Sequence, residues 1–249
     1  MIIGKAINKC KIIFNLRSLK MMLQSDQVMM DFSFMDFCFQ SHRKQFPLCA
    51  EKELHSFICK RSKNHLLKVV TLKLSVALDI MKNNPNLDIR IVHLVRDPRG
   101  ILASSKVIVL EDFLHKAEFF CSRTRSDLET ADILRTHYPD KYILVRYEDL
   151  AMHPLTLTRK ILKKLGEQTS IKTVTHVQRI TKTMAVKSNE ENFATSKLST
   201  SRPFQWRKKF GFSEVLEIQK TCGDVLTRLQ YRIFNDEEQY KNASYNILL

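Results

Sequence analysis

Two side chains at a fixed spacing, Arg96 and Ser104, indicate a site for an anion. The apolar run at 89–95 ends at Arg96, an Asp-Pro pair follows, and the chain restarts with the pattern of a helix that carries Ser104 in its early turns. In an open α/β sheet, ligands bind beyond the carboxyl ends of the strands, where a cation at the strand end and donors on the following helix converge. The spacing therefore predicts that both residues face one negatively charged ligand. A strand, turn and helix with a solvated Arg96 is the simpler alternative.

A second block, residues 141–150, reads Lys-Tyr-Ile-Leu-Val-Arg-Tyr-Glu-Asp-Leu. It predicts a buried strand followed by an acidic turn, and Pro154 and Gly166 mark the start and the end of the next helix. Glu148 and Asp149 are placed to cap a helix from this turn, so we interpret both as structural rather than catalytic.

A third block, residues 200–207, reads Thr-Ser-Arg-Pro-Phe-Gln-Trp-Arg and contributes another cation, Arg202. An amphipathic helical pattern follows between Val215 and Tyr231. Taken in order, the three blocks resemble the sulfotransferases that use 3′-phosphoadenosine-5′-phosphosulfate (PAPS). The Leu-Val-Arg-Asp-Pro-Arg form of the first block is most similar to the Golgi carbohydrate sulfotransferases, and the resemblance covers residues 66–232.

This resemblance implies an α/β fold of the P-loop-like sulfotransferase type, with a parallel β-sheet flanked by helices. Arg96 and Ser104 would hold the 3′-phosphate of the nucleotide, and Arg202 would be a second contact from the C-terminal segment. The implied reaction transfers a sulfuryl group from PAPS, the co-substrate, to a carbohydrate hydroxyl, and it requires no metal. The implied partners are the nucleotide donor and a glycan or glycoprotein acceptor, with no nucleic acid.

The segment upstream of the first block predicts a βαβ unit. Residues 65–70 have the pattern of a short buried strand that would pair in parallel with the strand at 89–95, and residues 74–81 have that of the crossover helix. By resemblance, Lys68 on this strand would neutralise charge on the transferring sulfuryl group, which makes it the candidate catalytic residue. A strand-end lysine that reaches solvent is the alternative. The catalytic base is unassigned, because Val70 stands where soluble members of the superfamily have a histidine.

One element of the family is not found in the sequence. Family members bind the 5′-phosphosulfate with a Ser/Thr/Gly-rich loop whose backbone N–H groups cradle the phosphate, whereas Gly4 is the one glycine in residues 1–60. We therefore expect residues 1–60 to be a divergent or truncated N-terminal segment, residues 61–235 to be a sulfotransferase-like domain and residues 236–249 to be a C-terminal tail. A catalytically silent homologue that binds nucleotide or an anionic glycan is the alternative function.

Composition agrees with one α/β domain, since 249 residues with 44% hydrophobic content can bury a full core. The formal net charge of +15 favours polyanionic partners such as nucleic acid, anionic membrane or acidic glycans. A basic polynucleotide-binding protein is the third alternative. It is disfavoured because the basic clusters at 60–63 and 207–209 lack the interleaved aromatic residues of a single-strand binding platform.

The resemblance implies a location in the Golgi lumen or membrane. No anchor or signal peptide is visible, because the apolar stretches fall short of the roughly 20 residues that span a bilayer, so membrane attachment would require an anchor not present in this chain. The sequence Asn242-Ala243-Ser244 is an acceptor for N-glycosylation.

The six cysteines are an even number, compatible with disulfides. Cys121 and Cys222 fall on apolar helix faces, where we expect buried free thiols, whereas Cys49 and Cys59 could form a local bridge. His93 lies inside a predicted buried strand and is expected to be a hydrogen-bonded core histidine.

Overall fold

The computed structural model describes residues 2–5, 64–69, 72–105, 113–182, 200 and 202–249. The chain divides into two compact units, one comprising residues 3–67 and 85–89 and the other comprising residues 1–2, 68–84 and 90–249. Strand β1 (Ile2–Lys5) is the neighbour of strand β2 (Asn64–Leu67). The candidate site lies in the second unit.

Two strands that lead to the candidate site pair in parallel. Strand β3 (Ile89–Val95) pairs with strand β4 (Tyr142–Arg146) in a register that places Ile91 opposite Tyr142 and Val95 opposite Arg146. The bounds of β3 agree with the predicted strand at 89–95. We expected the strand at 65–70 to pair in parallel with β3. In the structure, β3 instead pairs in parallel with β4, which lies much further along the chain.

Helices flank this sheet, and the longest of them is central to the packing. It contacts the helices at Leu74–Asn83, Pro98–Ser105 and Phe212–Arg228, and also β4. This arrangement confirms the predicted α/β class with a parallel sheet flanked by helices. Within the described ranges, the helices are α1 (Leu74–Asn83), α2 (Pro98–Ser105), α3 (Phe113–His137), α4 (Tyr147–Met152), α5 (Pro154–Lys164), α6 (Ile171–Lys182), α7 (Phe212–Arg228) and α8 (Glu237–Lys241), with a 3₁₀ helix at Gln205–Lys208.

None of the helices within the described ranges is both long enough and apolar enough to cross a bilayer.

The core lies between α3 and α7, and a disulfide joins the two helices there. Cys121 and Cys222 are fully buried and bonded to each other, with their Cα atoms 5.5 Å apart. The prediction of free thiols at these positions is therefore wrong. Each helix face is apolar as expected, but the two cysteines occupy facing positions on packed helices, within the Cα separation that a disulfide requires. Cys49 and Cys59 lie outside the described residues.

The segment at 236–249, which we expected to be a tail, packs against this core. Tyr240 and Ile247 are buried, and the backbone N–H of Arg232 donates to the carbonyl of Ile247 at 2.8 Å. Arg207 holds the segment from the other side, because its Nη2 donates to the carbonyls of Tyr240 and, at 2.8 Å, of Asn242. Arg207 therefore has a structural role, because it binds the backbone of the C-terminal segment.

Candidate functional site

The register of the two strands fixes which residues meet beyond their carboxyl ends. Val95 lies opposite Arg146, so the next residues, Arg96 and Tyr147, leave the sheet side by side. The guanidinium carbon of Arg96 lies 4.8 Å from the centroid of the Tyr147 ring. This is a cation–π contact, which orients the arginine without neutralising its charge.

Asp97 fixes the start of the helix that follows β3. Its Oδ1 accepts a hydrogen bond from the backbone N–H of Arg99 at 2.9 Å, which satisfies one of the free donors at the beginning of α2. Pro98 occupies the first helical position, where its lack of an N–H costs nothing. The sequence Asp-Pro after the strand therefore sets the direction in which α2 leaves the sheet.

The side chain of Arg99 forms a buried ion pair with Asp97. Both residues are 0% exposed, and Arg99 Nη2 and Nε donate to the carboxylate at 2.8 and 2.9 Å. The guanidinium carbon lies 4.8 Å from the Trp206 ring and 5.3 Å from the Phe234 ring. A buried ion pair with such complete contacts makes the turn costly to rearrange, because loss of one partner would leave an uncompensated charge.

Glu148 connects this turn to the end of β4. It is 0% exposed, its Oε1 accepts from the backbone N–H of Asp97 at 3.2 Å, and its Oε2 accepts from the hydroxyl of Tyr231. Burial raises the pKa of the Glu148 carboxyl and also that of the Tyr231 hydroxyl. Asp149 accepts from Arg146 Nε at 2.9 Å. Both acidic residues have structural contacts, in agreement with our interpretation from the sequence. The predicted capping is wrong, because both lie inside the first turn of α4 and the next helix has His153 at its N-cap.

The structure brings Arg96 and Ser104 together. Arg96 Nη1 donates to Ser104 Oγ at 3.2 Å, and that hydroxyl donates to the carbonyl of Gly100 at 2.9 Å. Gly100 lies close to the side chains of Arg96 and Trp206. A Cβ at this position would lie 3.0 Å from Arg96 Nε and 3.3 Å from Trp206 Cδ1. The glycine therefore leaves room for the guanidinium and the indole to pack against α2.

A cavity of about 270 Å³ opens beside this pair. Arg202 is among its lining residues, and Arg202 Nη1 donates to Gln205 Oε1 at 3.3 Å. Three cationic side chains line the cavity, whereas none of its described lining residues is a carboxylate. The lining residues with polar or aromatic side chains are Arg96, Ser104, Tyr147, Arg202, Gln205, Trp206 and Lys209.

Two N–H donors at this site are buried and have no hydrogen-bond partner among the described residues. They are Arg96 Nε and Trp206 Nε1. An unsatisfied buried donor costs about 1–3 kcal/mol, so an acceptor oxygen supplied by a ligand would recover free energy here. The site thus combines positive charge and unused donors, which is the chemistry that phosphate and sulfate oxygens require.

Lys68 is placed differently from the other predicted site residues. It directly follows β2, its side chain is exposed, and it is not among the described residues that line the cavity. Its catalytic role stays a prediction. Most of the N-terminal segment in which a phosphosulfate loop was sought, residues 6–60, lies outside the described residues.

The sequence analysis predicted Arg96, Ser104 and Arg202 but not the other lining residues of the cavity, which include Tyr147 and Gln205. Lys209 and Trp206 line the cavity from the C-terminal segment, and Gly100 lies beneath the Arg96 side chain. The run Arg207-Lys208-Lys209 was noted only as a basic cluster. Its position three residues after the tryptophan was the signal that Lys209 could share a site with Arg202.

His93 lies away from this chemistry. Its Nδ1 is 2.9 Å from the hydroxyl of Tyr142, and burial lowers the pKa of the imidazole to about 4. The predicted hydrogen bond of His93 is confirmed, whereas its side chain is half-buried and is not among the residues of the buried core. In the described ranges, no group of three or more His, Cys, Asp or Glu side chains is arranged to hold a metal ion.

Comparison with known proteins gives one family. The profile described as "Sulfotransferase family" matches residues 21–170. Carbohydrate sulfotransferase 5 of Mus musculus is 31% identical over 229 residues, which cover 82% of this chain and 57% of that protein. Carbohydrate sulfotransferase 3 of Rattus norvegicus is 26% identical over 208 residues, which cover 76% of this chain and 44% of that protein.

A third relative gives the same result. Carbohydrate sulfotransferase 1 of Mus musculus is 26% identical over 207 residues, which cover 76% of this chain and 50% of that protein. The chain therefore spans about half the length of the relatives it matches. The family match includes both β3 with its following turn and β4, the two elements that build the candidate site. The chain belongs to the sulfotransferase family.

Proposed function

We propose that this protein is a sulfotransferase that transfers a sulfuryl group from PAPS to a carbohydrate hydroxyl. The observation that carries the proposal is the cavity beside Arg96, where a strand-end cation, a helix hydroxyl and unused buried donors converge. The names of the relatives support a carbohydrate acceptor. Together these features favour a nucleotide site over a general basic surface.

In this proposal, Arg96, Ser104 and Arg202 bind the 3′-phosphate of the nucleotide. Lys209 adds a further positive charge from the C-terminal segment, and the unused N–H of Trp206 would donate to a phosphate oxygen. Three cations suit a group that carries two negative charges, since charge-assisted hydrogen bonds are roughly twice as strong as neutral ones.

The reaction itself is an in-line displacement at sulfur. The acceptor hydroxyl oxygen attacks the sulfur atom, the bond from sulfur to the bridging phosphate oxygen breaks, and 3′-phosphoadenosine-5′-phosphate (PAP) leaves. Lys68 would offset the negative charge that develops on the transferring group. The proton of the acceptor hydroxyl passes to a base that we do not assign.

A catalytically silent homologue is a second candidate, and one sequence feature favours it. Residues 1–60 lack the Ser/Thr/Gly-rich loop that would hold the 5′-phosphosulfate, and Gly4 is their one glycine. Such a protein would bind the 3′-phosphate half of the nucleotide and would position the sulfuryl group poorly. Binding and turnover would then separate.

Two measurements on the 249-residue chain test these functions. Calorimetry should show binding of PAP and much weaker binding of adenosine 5′-phosphate, which lacks the 3′-phosphate. Transfer of labelled sulfate to chondroitin, keratan or N-acetylglucosamine-terminated acceptors then separates the two candidates, because sulfation supports the enzyme and binding without sulfation supports the silent homologue. Equal affinity for the two nucleotides would contradict both.

We also propose a location in the Golgi lumen. The buried disulfide between Cys121 and Cys222 supports an oxidising compartment, because disulfides are rare in reducing ones. The glycosylation acceptor Asn242 is exposed. Expression through the secretory pathway should therefore yield a glycan that peptide-N-glycosidase removes, and the N242Q variant should lack it.

A further inference from the structure

We propose that a second, strongly basic cavity binds an acidic glycan chain outside the transfer site. The cavity has a volume of about 700 Å³. Its lining contains a single carboxylate, Asp140, against six cationic side chains. We call this the basic cavity, and its cations are Arg90, Arg135, Lys141, Lys160, Lys163 and Lys164.

The basic cavity lies at the other end of the strands from the candidate nucleotide site. Arg90 is near the start of β3 and Lys141 immediately precedes β4, whereas Arg96 follows the carboxyl end of β3. At about 3.3 Å per residue, the backbone positions of Arg90 and Arg96 are roughly 20 Å apart. A ligand in the basic cavity would therefore bind independently of the nucleotide.

Arg90 is held in place by the end of α5. Its Nη1 donates to the carbonyl of Lys164 at 2.8 Å. Gly166, which has a φ of +74°, lies so close that a Cβ there would be 3.2 Å from Arg90 Nη1. The glycine satisfies two requirements together, the left-handed conformation that ends the helix and the close approach of the guanidinium.

Part of the positive charge of the basic cavity is not neutralised within the described residues, although Arg135 pairs with Asp132 at 3.0 Å. Asp140 is 98% exposed at its side chain and lies 3.7 Å from Lys164 Nζ, which is a weak surface pair. Lys160 and Lys163 are exposed on α5, and neither forms an ion pair within the described part of the chain. Cations contributed by separate elements suit a ligand with several anionic groups along a chain rather than one compact anion.

The lining favours a glycan over a nucleic acid. Single-stranded nucleic acids bind by stacking their bases on several exposed aromatic rings. Tyr142 is the one aromatic residue among the described residues that line this cavity, and its hydroxyl is hydrogen-bonded to His93. Aliphatic residues beside it, Ile143 and Leu144, can pack against sugar rings. The choice of a glycan rests on the proposed function, because a carbohydrate sulfotransferase acts on such chains. Sulfate or uronate groups would supply the negative charge.

The test compares two double variants on the full 249-residue chain. K160A/K163A removes two exposed cations of the basic cavity, and K82A/K172A removes two exposed helix lysines that do not line it. Both remove two of the positive charges, so the effect on the net charge is the same. We expect K160A/K163A to bind chondroitin sulfate chains roughly tenfold more weakly than the parent, and K82A/K172A to bind them with nearly unchanged affinity. Added salt should reduce the difference.

Affinity for PAP separates this proposal from the proposed function, since both double variants should bind PAP like the parent. Three results would overturn the basic cavity as a glycan site: no binding of chondroitin sulfate by the parent, an equal loss in both double variants, or a single-stranded oligonucleotide that competes for the cavity with higher affinity than chondroitin sulfate. A failure of PAP to bind the parent would instead contradict the nucleotide site. The chondroitin sulfate affinities of the two double variants would still test the basic cavity.

Discussion

Arg96 Nη1 and Ser104 Oγ are separated by 3.2 Å, although the residues are eight positions apart on different elements. The contact arises because α2 begins immediately after the turn at Asp97 and carries its second turn back over the end of β3. The same arginine has a buried Nε with no partner among the described residues. One guanidinium thus has one donor bonded within the protein and one buried donor without a partner among the described residues.

The first prediction concerns this guanidinium. R96A should weaken the binding of PAP by one to two orders of magnitude, because a charge-assisted hydrogen bond contributes about 1.5–3 kcal/mol. S104A should cost less, since it removes a neutral hydroxyl. Calorimetry provides the measurement, and R159A, which changes an exposed arginine outside both cavities, is the control. Unchanged affinity in R96A would rule out the site assignment.

The second prediction uses two glycines in helices. G100A introduces a Cβ 3.0 Å from Arg96 Nε and 3.3 Å from Trp206 Cδ1, so the guanidinium must shift by a few tenths of an ångström and PAP binding should fall roughly tenfold. G223A is the matched control, because nothing lies within 4 Å of the added Cβ in α7. That variant should bind PAP like the parent and gain about 0.5–1 kcal/mol in stability. If both variants bind PAP equally well, Gly100 does not position Arg96.

The part of the site that could be predicted from the sequence is the part built by neighbouring residues. The strand at 89–95, the turn at Asp97 and the first turns of α2 follow from local periodicity and from Asp-Pro chemistry. Arg96 and Ser104 therefore converge without any long-range information. Lys209 and Trp206 could not be placed in this way, because their position depends on how the 3₁₀ helix packs over α2.

Pairings between distant segments account for the predictions that failed. Cys121 and Cys222 are 101 residues apart. Each lies on the apolar face of a helix, and such a position suits a buried free thiol as well as it suits a disulfide. Only the packing of α3 on α7 brings them together. The partner of β3 was misjudged for the same reason: the nearest upstream strand was the natural candidate, yet β4 follows the 25-residue helix α3.

The third prediction concerns the hydrogen bond between Tyr231 and Glu148. Y231F leaves Glu148 Oε2 without its donor inside the protein, so the free energy of unfolding in urea should fall by about 1–3 kcal/mol. Y138F removes the hydroxyl of a partly exposed tyrosine and should change stability by less than about 0.5 kcal/mol. Similar stabilities for the two variants would mean that the bond to Glu148 does not hold the turn.

The fourth prediction concerns the disulfide between α3 and α7. Without reductant, alkylation of the denatured chain followed by peptide mapping should leave Cys121 and Cys222 unlabelled. The double variant C121A/C222A should lose about 2–5 kcal/mol of stability, because the bond closes a loop of 101 residues in the unfolded chain. Labelling of both cysteines in the unreduced protein would instead support buried free thiols.

The fifth prediction concerns pH and His93. Burial lowers the pKa of its imidazole to about 4, with Asp127 opposing this shift and Arg135 adding to it. An unfolded histidine titrates near 6.5, so between these values the unfolded state binds a proton that the folded state does not, and stability falls as the pH decreases. The loss should reach roughly 3 kcal/mol near pH 4.

Urea unfolding measured from pH 7.5 to 4 tests this. The decline in the free energy of unfolding should be shallower in H93Q than in the parent, whereas H137Q, at an exposed position of α3, should follow the parent. Equal slopes in H93Q and the parent would show that His93 is already able to bind a proton in the folded state.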